Sequence, residues 1–141
     1  MNQQLVVFPM LTLVLFTGAM GVALLFARIR AVREGGLSPA YFKYNRGGKP
    51  PEYLLRFTHQ FDNLLETPFL FYLGLVVLLV LEMVDGWYLL LAWGYVASRL
   101  WHAWVHLRSN ALLRRRNAFL VSYLLLFTIW IRLLVQLLLQ P

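Results

Sequence analysis

Four long apolar runs constrain this chain more than any other feature. They cover about residues 5–27, 53–84, 87–108 and 117–139, and a helix needs roughly 20 residues to cross about 30 Å of hydrocarbon. Lipid accepts only helices or closed barrels, and these runs are too long and too uniformly apolar for barrel strands. With 60% hydrophobic and 13% charged residues, the chain is too apolar for a soluble surface. The sequence predicts an all-α membrane protein, a four-transmembrane-helix bundle that forms one domain over residues 1–141.

Basic residues in two connecting segments predict the orientation of the bundle. One group lies between the first and second runs and the other between the third and fourth: Arg28, Arg30, Arg33, Lys43, Arg46 and Lys49, then Arg108, Arg114, Arg115 and Arg116. The connection between the second and third runs offers only Glu82 and Asp85. Because basic loops stay in the cytoplasm, both loops are expected there and both termini outside. The net charge of +7 therefore indicates topology and contact with membrane lipids, with no nucleic-acid partner.

The stretch RFTHQFDNLLETPF, residues 56–69, places polar side chains directly ahead of an apolar run. On a helix these side chains share a stripe about 120° wide. They are Arg56, His59, Asp62, Asn63 and Glu66. Polar groups are costly in lipid, so this part of the helix should project beyond the bilayer or into a wet cavity. Pro68 removes a backbone hydrogen bond to the Leu64 carbonyl, which predicts a kink beside Glu66.

A second polar stripe lies in YVASRLWHAWVH on the third predicted helix. Tyr95, Arg99, His102 and His106 fall on one narrow face. Two polar stripes in one small bundle should be buried together near the cytoplasmic ends of their helices. We expect Glu66 to pair with Arg99, either as a structural ion pair or as part of a ligand site.

Two spaced motifs resemble those of a known family. The run N-x-x-E-x-P-F on helix two, from Asn63 to Phe69, is followed by R-x-x-H-x-x-x-H on helix three and an arginine-rich turn. This arrangement resembles the MAPEG family, the membrane-associated proteins in eicosanoid and glutathione metabolism, over nearly the whole chain. The resemblance implies a bacterial-type homotrimer of four-helix subunits in the inner membrane. It also implies that glutathione binds between subunits at the cytoplasmic side and is used on a lipophilic small-molecule substrate, as in a transferase or peroxidase.

The resemblance also implies roles for particular residues. Asn63 and Glu66 match the pair that contacts glutathione, and Arg99 matches a helix-three arginine near the same site. One residue of the triplet Arg114, Arg115 and Arg116 matches the arginine that activates the thiol, because a guanidinium favours the thiolate. We take Arg115 first and Arg114 next as the catalytic candidates. The other predicted cofactor-binding residues are Arg28, Arg30, His59, His102 and His106.

Three residues differ from the family pattern. His59 stands where characterised members carry an arginine, Asp62 stands where some carry another, and His106 stands where a tyrosine is expected. The chain has no cysteine, which excludes disulfides, protein thiol nucleophiles and cysteine metal ligands. Any reacting thiol would come from the cofactor.

Two other classes of function stay open on the sequence. His59, His102 and His106 with Glu66 or Asp62 could form a metal or haem site, since histidines four residues apart on a helix have usable ligand spacing. The other alternative is a non-catalytic membrane subunit that binds lipid or a partner protein through its basic loops. We assign no metal ligand, because the chain has no dense set of carboxylates and histidines.

Overall fold

The structure is a computed structural model of the chain and describes residues 2–109 and 111–139. All regular structure in these ranges is helical. After a short 3₁₀ helix at Gln3–Val6, the chain forms α1 (Val7–Arg33), α2 (Tyr41–Tyr44), α3 (Glu52–Glu66), α4 (Phe69–Val80), α5 (Gly86–Arg108) and α6 (Leu112–Leu139).

Local sequence explains where several helices begin and end. Beyond the end of α1, Gly36 adopts a φ of 64°, a left-handed conformation that glycine adopts without steric cost. Pro50 and Pro51 precede α3, and Pro51 is its N-cap residue with extended backbone. Asp85 caps α5 by accepting a hydrogen bond from the Tyr88 N–H at 3.0 Å, which satisfies one of the unpaired amides at a helix start.

The second predicted run is divided between α3 and α4. α3 ends at Glu66 and α4 begins at Phe69, so the interruption predicted at Pro68 is confirmed. Hydrogen bonding continues on both sides, because the Thr67 N–H donates to the Asn63 carbonyl at 3.3 Å and the Tyr72 N–H to the Pro68 carbonyl at 3.0 Å. Residues 52–80 therefore form one long helical segment with a break at Thr67 and Pro68.

Within the described residues, three segments are long and apolar enough to cross a membrane. They are Gln3–Arg33, Glu52–Val80 and Leu112–Leu139, and they indicate an integral membrane protein. α5, predicted as the third span, is 23 residues long but is not among them. It carries Arg99, His102 and His106 on a buried face, which lowers its hydropathy.

α5 is the central element of the packing. It contacts α6 most extensively and also packs against α1 and α3. Phe71 of α4 stacks on Tyr95 of α5 with ring centroids 4.3 Å apart. The outer faces of the long helices expose large apolar side chains such as Leu15, Val80 and Leu138. Apolar outer faces, with the charged side chain of Arg99 kept inside the bundle, suit a protein surrounded by lipid.

The turn between α4 and α5 forms hydrogen bonds with the N-terminal 3₁₀ helix and with α6. The Gln3 side-chain amide donates to the Val84 carbonyl at 3.2 Å, and the Val84 N–H donates to Gln3 Oε1 at 2.8 Å. Arg132 of α6 donates to both carboxylate oxygens of Asp85, one at 2.7 Å. This end of the bundle lies opposite the basic end, at which α1 and α5 finish and α6 begins.

Candidate functional site

A cavity of about 470 Å³ opens at the basic end between α3, α5 and α6. Its volume lies in the range of small-molecule sites. The lining comprises His59, Asn63, His102, His106, Leu112, Leu113, Arg115, Arg116 and Phe119. No carboxylate occurs among these described residues, so an anion entering the cavity would meet cations and neutral groups only. We refer to it as the basic cavity.

Arg99 is fully buried beside the basic cavity, with 0% of its surface exposed. Its Nη2 donates to the Asn63 carbonyl at 3.2 Å and also to Asn63 Oδ1. The guanidinium carbon lies 6.0 Å from the centroid of the Phe119 ring. Among the described residues, no group accepts a hydrogen bond from its Nε or Nη1. A buried cation held by neutral acceptors is costly, so a nearby anion would stabilise it.

The predicted ion pair between Glu66 and Arg99 is wrong within this chain. The ion pairs among the described residues are Arg30–Glu34, Arg56–Glu52 and Arg132–Asp85, and Glu66 is exposed. The reason is the rotation of α3: Asn63 and Glu66 are three residues apart and therefore about 60° apart around the helix axis. Asn63 faces α5 and takes the position that the sequence suggested for the carboxylate.

Arg115 and His106 both line the basic cavity and contact each other. Its Nη1 lies 3.2 Å from His106 Nδ1. A guanidinium can only donate, so Nδ1 of His106 accepts and the neutral ring carries its proton on Nε2 in this contact. The guanidinium and the imidazole thus hold each other in the cavity wall.

The arginine triplet occupies the start of α6, where the sequence had suggested a turn. α6 begins at Leu112, five residues before the predicted start at residue 117. An apolar run shows only which part of a helix lies in lipid. Because arginine also has a high helix propensity, α6 extends beyond the run and includes the triplet. As a result, Arg115 and Arg116 line the cavity while Arg114 is exposed and does not.

His102 presents an unused polar atom near the same space. Its side chain is 4% exposed, and its Nδ1 has no hydrogen-bond partner among the described residues. The ring centroid lies 6.0 Å from that of His106 and 5.9 Å from that of Phe119. A ligand that reached this wall could contact Nδ1, because buried polar atoms normally have a partner.

The structure brings together about half of the residues predicted for the site. Those that line the basic cavity are His59, Asn63, His102, His106 and Arg115, and Arg99 lies beside them. Four others lie elsewhere: Glu66 and Arg114 are exposed, Arg28 lines a different cavity, and Arg30 pairs with Glu34 at 2.7 Å.

Arg116, a member of the predicted arginine triplet that was not among the first catalytic candidates, lines the cavity. Two residues at or near this site were not predicted from the sequence, and one of them, Phe119, also lines the cavity. Gln60 is fully buried on α3, and both polar atoms of its side-chain amide lack a partner among the described residues. Gln60 lies about 60° from Asn63 on the helical wheel, so a wider polar stripe would have included it. Nothing in the apolar run distinguishes Phe119 from its neighbours.

The alternative of a histidine-based metal site gains no support. Within the described residues, no group of three or more histidine, aspartate or glutamate side chains is placed to hold a metal ion. His102 and His106 are neighbours, but Asp62 and Glu66 are exposed on α3 and do not join them in such a group.

The helices and the basic cavity define a class of protein: an all-helical integral membrane protein with a ligand-sized cavity at one end of the bundle. The family model described as MAPEG family matches residues 6–135, and the chain belongs to that family. The family resemblance of the sequence motifs is thereby confirmed, and membership is consistent with a membrane protein of glutathione or eicosanoid metabolism. No curated protein and no solved structure matches the chain.

Proposed function

We propose that this protein is a glutathione-dependent transferase or peroxidase acting on lipophilic substrates, with glutathione bound in the basic cavity. The observation that carries the proposal is a cavity of about 470 Å³ lined by Arg115, Arg116 and two buried histidines. The uncompensated charge of Arg99 lies next to it. Glutathione is an anion at neutral pH, and its family-wide association with such proteins supports the choice of ligand.

The residues of the cavity divide into binding and activating groups. Asn63 and His102 supply hydrogen bonds to the tripeptide, and Arg116 attracts its carboxylates. Arg115, held by His106, favours the thiolate of the bound cofactor because a nearby guanidinium stabilises the charged form. Bound glutathione would supply a nucleophilic sulfur that could displace a leaving group from an electrophilic carbon. With a second glutathione it could instead reduce a hydroperoxide to an alcohol and water, with formation of glutathione disulfide. The lipophilic substrate would enter from the lipid.

The proposal includes a homotrimer of four-helix subunits, in which α5 crosses the membrane in addition to the three apolar segments. Glu66 and Arg30 are exposed in the single subunit, and we place them at the subunit boundary, where Glu66 holds the glutathione amino group of the neighbouring site. The basic loops then lie in the cytoplasm of a bacterial cell and both termini outside. Native mass spectrometry of the detergent-solubilised protein measures the subunit number, and a monomer would contradict this assembly.

The decisive experiment compares Arg115→Ala with Arg114→Ala, two adjacent arginines of which only the first lines the cavity. Isothermal titration calorimetry measures glutathione binding in nanodiscs, and ultraviolet difference absorbance measures thiolate formation at neutral pH. We expect Arg115→Ala to lose the thiolate signal and at least about a hundredfold in turnover, whereas Arg114→Ala behaves as wild type.

Two results would contradict the proposal. One is an absence of glutathione binding to wild type at millimolar concentration. The other is equal turnover of wild type and Arg115→Ala with standard electrophiles and hydroperoxides. Together they would leave a non-catalytic subunit that binds lipid or a partner protein as the better account.

A further inference from the structure

A second cavity, of about 250 Å³, lies between α1, α2 and α3. Arg28 enters it from α1, Phe42 from α2 and Asp62 from α3. His59 lines this cavity as well as the basic cavity, so the two are neighbours on opposite sides of one side chain. We refer to it as the α2 cavity.

The α2 cavity contains two opposite charges that do not pair with each other. Arg28 and Asp62 both line it, yet the ion pairs among the described residues join other side chains. The contact of Arg28 is with the face of Phe42, whose ring centroid lies 5.6 Å from the guanidinium carbon. A cation and a carboxylate held apart in one cavity leave room for a ligand that carries both charges.

An apolar groove continues from the α2 cavity. It has a volume of about 260 Å³ and is lined by Arg28, Ile29, Val32, Arg33 and Phe42. Arg28 and Phe42 belong to both spaces, and arginine stems are themselves apolar. A polar cavity with two charges therefore adjoins an apolar groove. An amphiphilic molecule has the same two parts, a charged headgroup and an apolar chain.

The depth of these spaces agrees with the headgroup layer of a membrane. The segment Gln3–Arg33 has 31 residues and is about 46 Å long as a helix, whereas the hydrocarbon is about 30 Å thick. The last turns of α1, which carry Arg28 and Val32, therefore reach the polar boundary of the bilayer. Phospholipid headgroups are concentrated there.

We propose that the α2 cavity and its groove bind one aminophospholipid. Arg28 contacts the phosphate, Asp62 accepts a hydrogen bond from the primary ammonium group, and an acyl chain lies against Ile29, Val32 and Phe42. A headgroup without an amine would keep the phosphate contact with Arg28 but would leave the Asp62 carboxylate without a cationic partner. The inference is independent of glutathione chemistry, and it gives Arg28 a lipid ligand where the sequence suggested a cofactor.

The test is competition between phosphatidylethanolamine and phosphatidylglycerol, followed by native mass spectrometry of the lipid retained on the detergent-solubilised protein. Wild type should retain phosphatidylethanolamine about tenfold more than phosphatidylglycerol, the effect of one charge-assisted hydrogen bond. Asp62→Asn should remove that preference. Arg28→Gln should lower the retention of both lipids. Glu34→Gln and Arg46→Gln make the same charge changes outside the cavity and should match wild type.

Two further arms separate a lipid from a soluble ligand. Val32→Asn should reduce lipid retention without changing the binding of free phosphoethanolamine, which has a headgroup but no acyl chain. Phosphoethanolamine should displace the bound lipid only at much higher concentration than phosphatidylethanolamine does, and displacement at equal concentration would overturn the lipid assignment. Equal retention of the two lipids by wild type, or equal losses in the cavity variants and their controls, would also overturn it.

Discussion

Arg99 is the residue whose environment constrains the site most. It is a fully buried cation that touches no carboxylate in the described chain, and Asn63 supplies its hydrogen-bond acceptors. Buried ions of this kind are retained in membrane proteins chiefly where they serve a ligand or a partner charge. The pairing of Arg99 with a neutral amide keeps its charge available to an anion in the basic cavity.

The first prediction concerns this contact. Asn63→Leu removes the side-chain acceptor of Arg99 and should lower the free energy of unfolding by about 1–3 kcal/mol, because a buried donor loses its partner. Chemical unfolding in detergent micelles, followed by circular dichroism, measures the change. Asn117→Leu is the matched control, since Asn117 is exposed and bonds only its neighbour Arg116 among the described residues. Equal losses in the two variants would exclude a special role for Asn63.

At the scale of elements, α1 and α3 approach closely at a glycine. A Cβ atom built on Gly21 would lie 3.1 Å from Cε2 of Phe61, whereas one built on Gly18 would meet nothing within 4 Å. Small residues allow such close helix packing in membranes. The two glycines therefore differ in packing although they lie in the same helix.

The second prediction uses this difference. Gly21→Leu should force α1 from α3 and destabilise the protein by about 1–3 kcal/mol through overpacking. Gly18→Leu gains the same helix propensity without the clash, so it should leave stability equal or higher. Thermal unfolding of both variants in the same detergent gives the comparison. A stable Gly21→Leu protein would mean that the two helices are not in contact at this point.

The turn before α5 carries the third prediction, which depends on pH. The hydrogen bond from Arg132 is the largest influence on Asp85, and it holds the pKa of that carboxyl below its ordinary value, with help from the Tyr88 N–H. Since the folded pKa lies below the unfolded value of about 3.9, the stabilisation is complete above about pH 5. It is lost as the pH falls through the folded pKa.

The size of this effect is modest, because the Arg132 and Asp85 side chains are 26% and 42% exposed. We expect Asp85→Asn to lower the stability of the protein by about 1 kcal/mol at neutral pH and by less near pH 3. Unfolding midpoints of wild type and variant at the two pH values measure it. Glu34→Gln, which removes the carboxylate from an exposed pair at the end of α1, should show little effect at either pH. If wild type and Asp85→Asn differed in stability by the same amount at both pH values, the charge of Asp85 could not be the cause.

At the scale of the whole molecule, the distribution of charge gives the fourth prediction. The basic end and the turn between α4 and α5 should lie on opposite sides of the membrane. The chain has no cysteine, so Lys43→Cys and Gly86→Cys each introduce a single reporter. Gly86 has open space around it and, unlike Asp85, takes part in no ion pair. A membrane-impermeant maleimide should label only Gly86→Cys in intact cells and both variants after permeabilisation. Labelling of both, or of neither, in intact cells would contradict the topology.

The sequence alone was enough for the features that depend on neighbours along the chain. The third apolar run, at about residues 87–108, predicted α5 within one residue at each end. Pro68 predicted the division between α3 and α4, because the backbone N–H that proline lacks affects only the neighbouring turn of the helix. The motifs around Asn63 and Arg99 were enough to indicate the family. Each of these conclusions needs only the spacing of residues within one helix or the chemistry of one residue.

The tertiary structure decided which faces meet. Helical periodicity placed Asn63 and Glu66 on one stripe, but the rotation of α3 against α5 brought Asn63 to Arg99 and left Glu66 exposed. In the same way the position of α6 separated Arg115 from Arg114. The rotation of one helix against another is set by side chains distant in sequence, which pack as a group, so the spacing within either helix does not contain it.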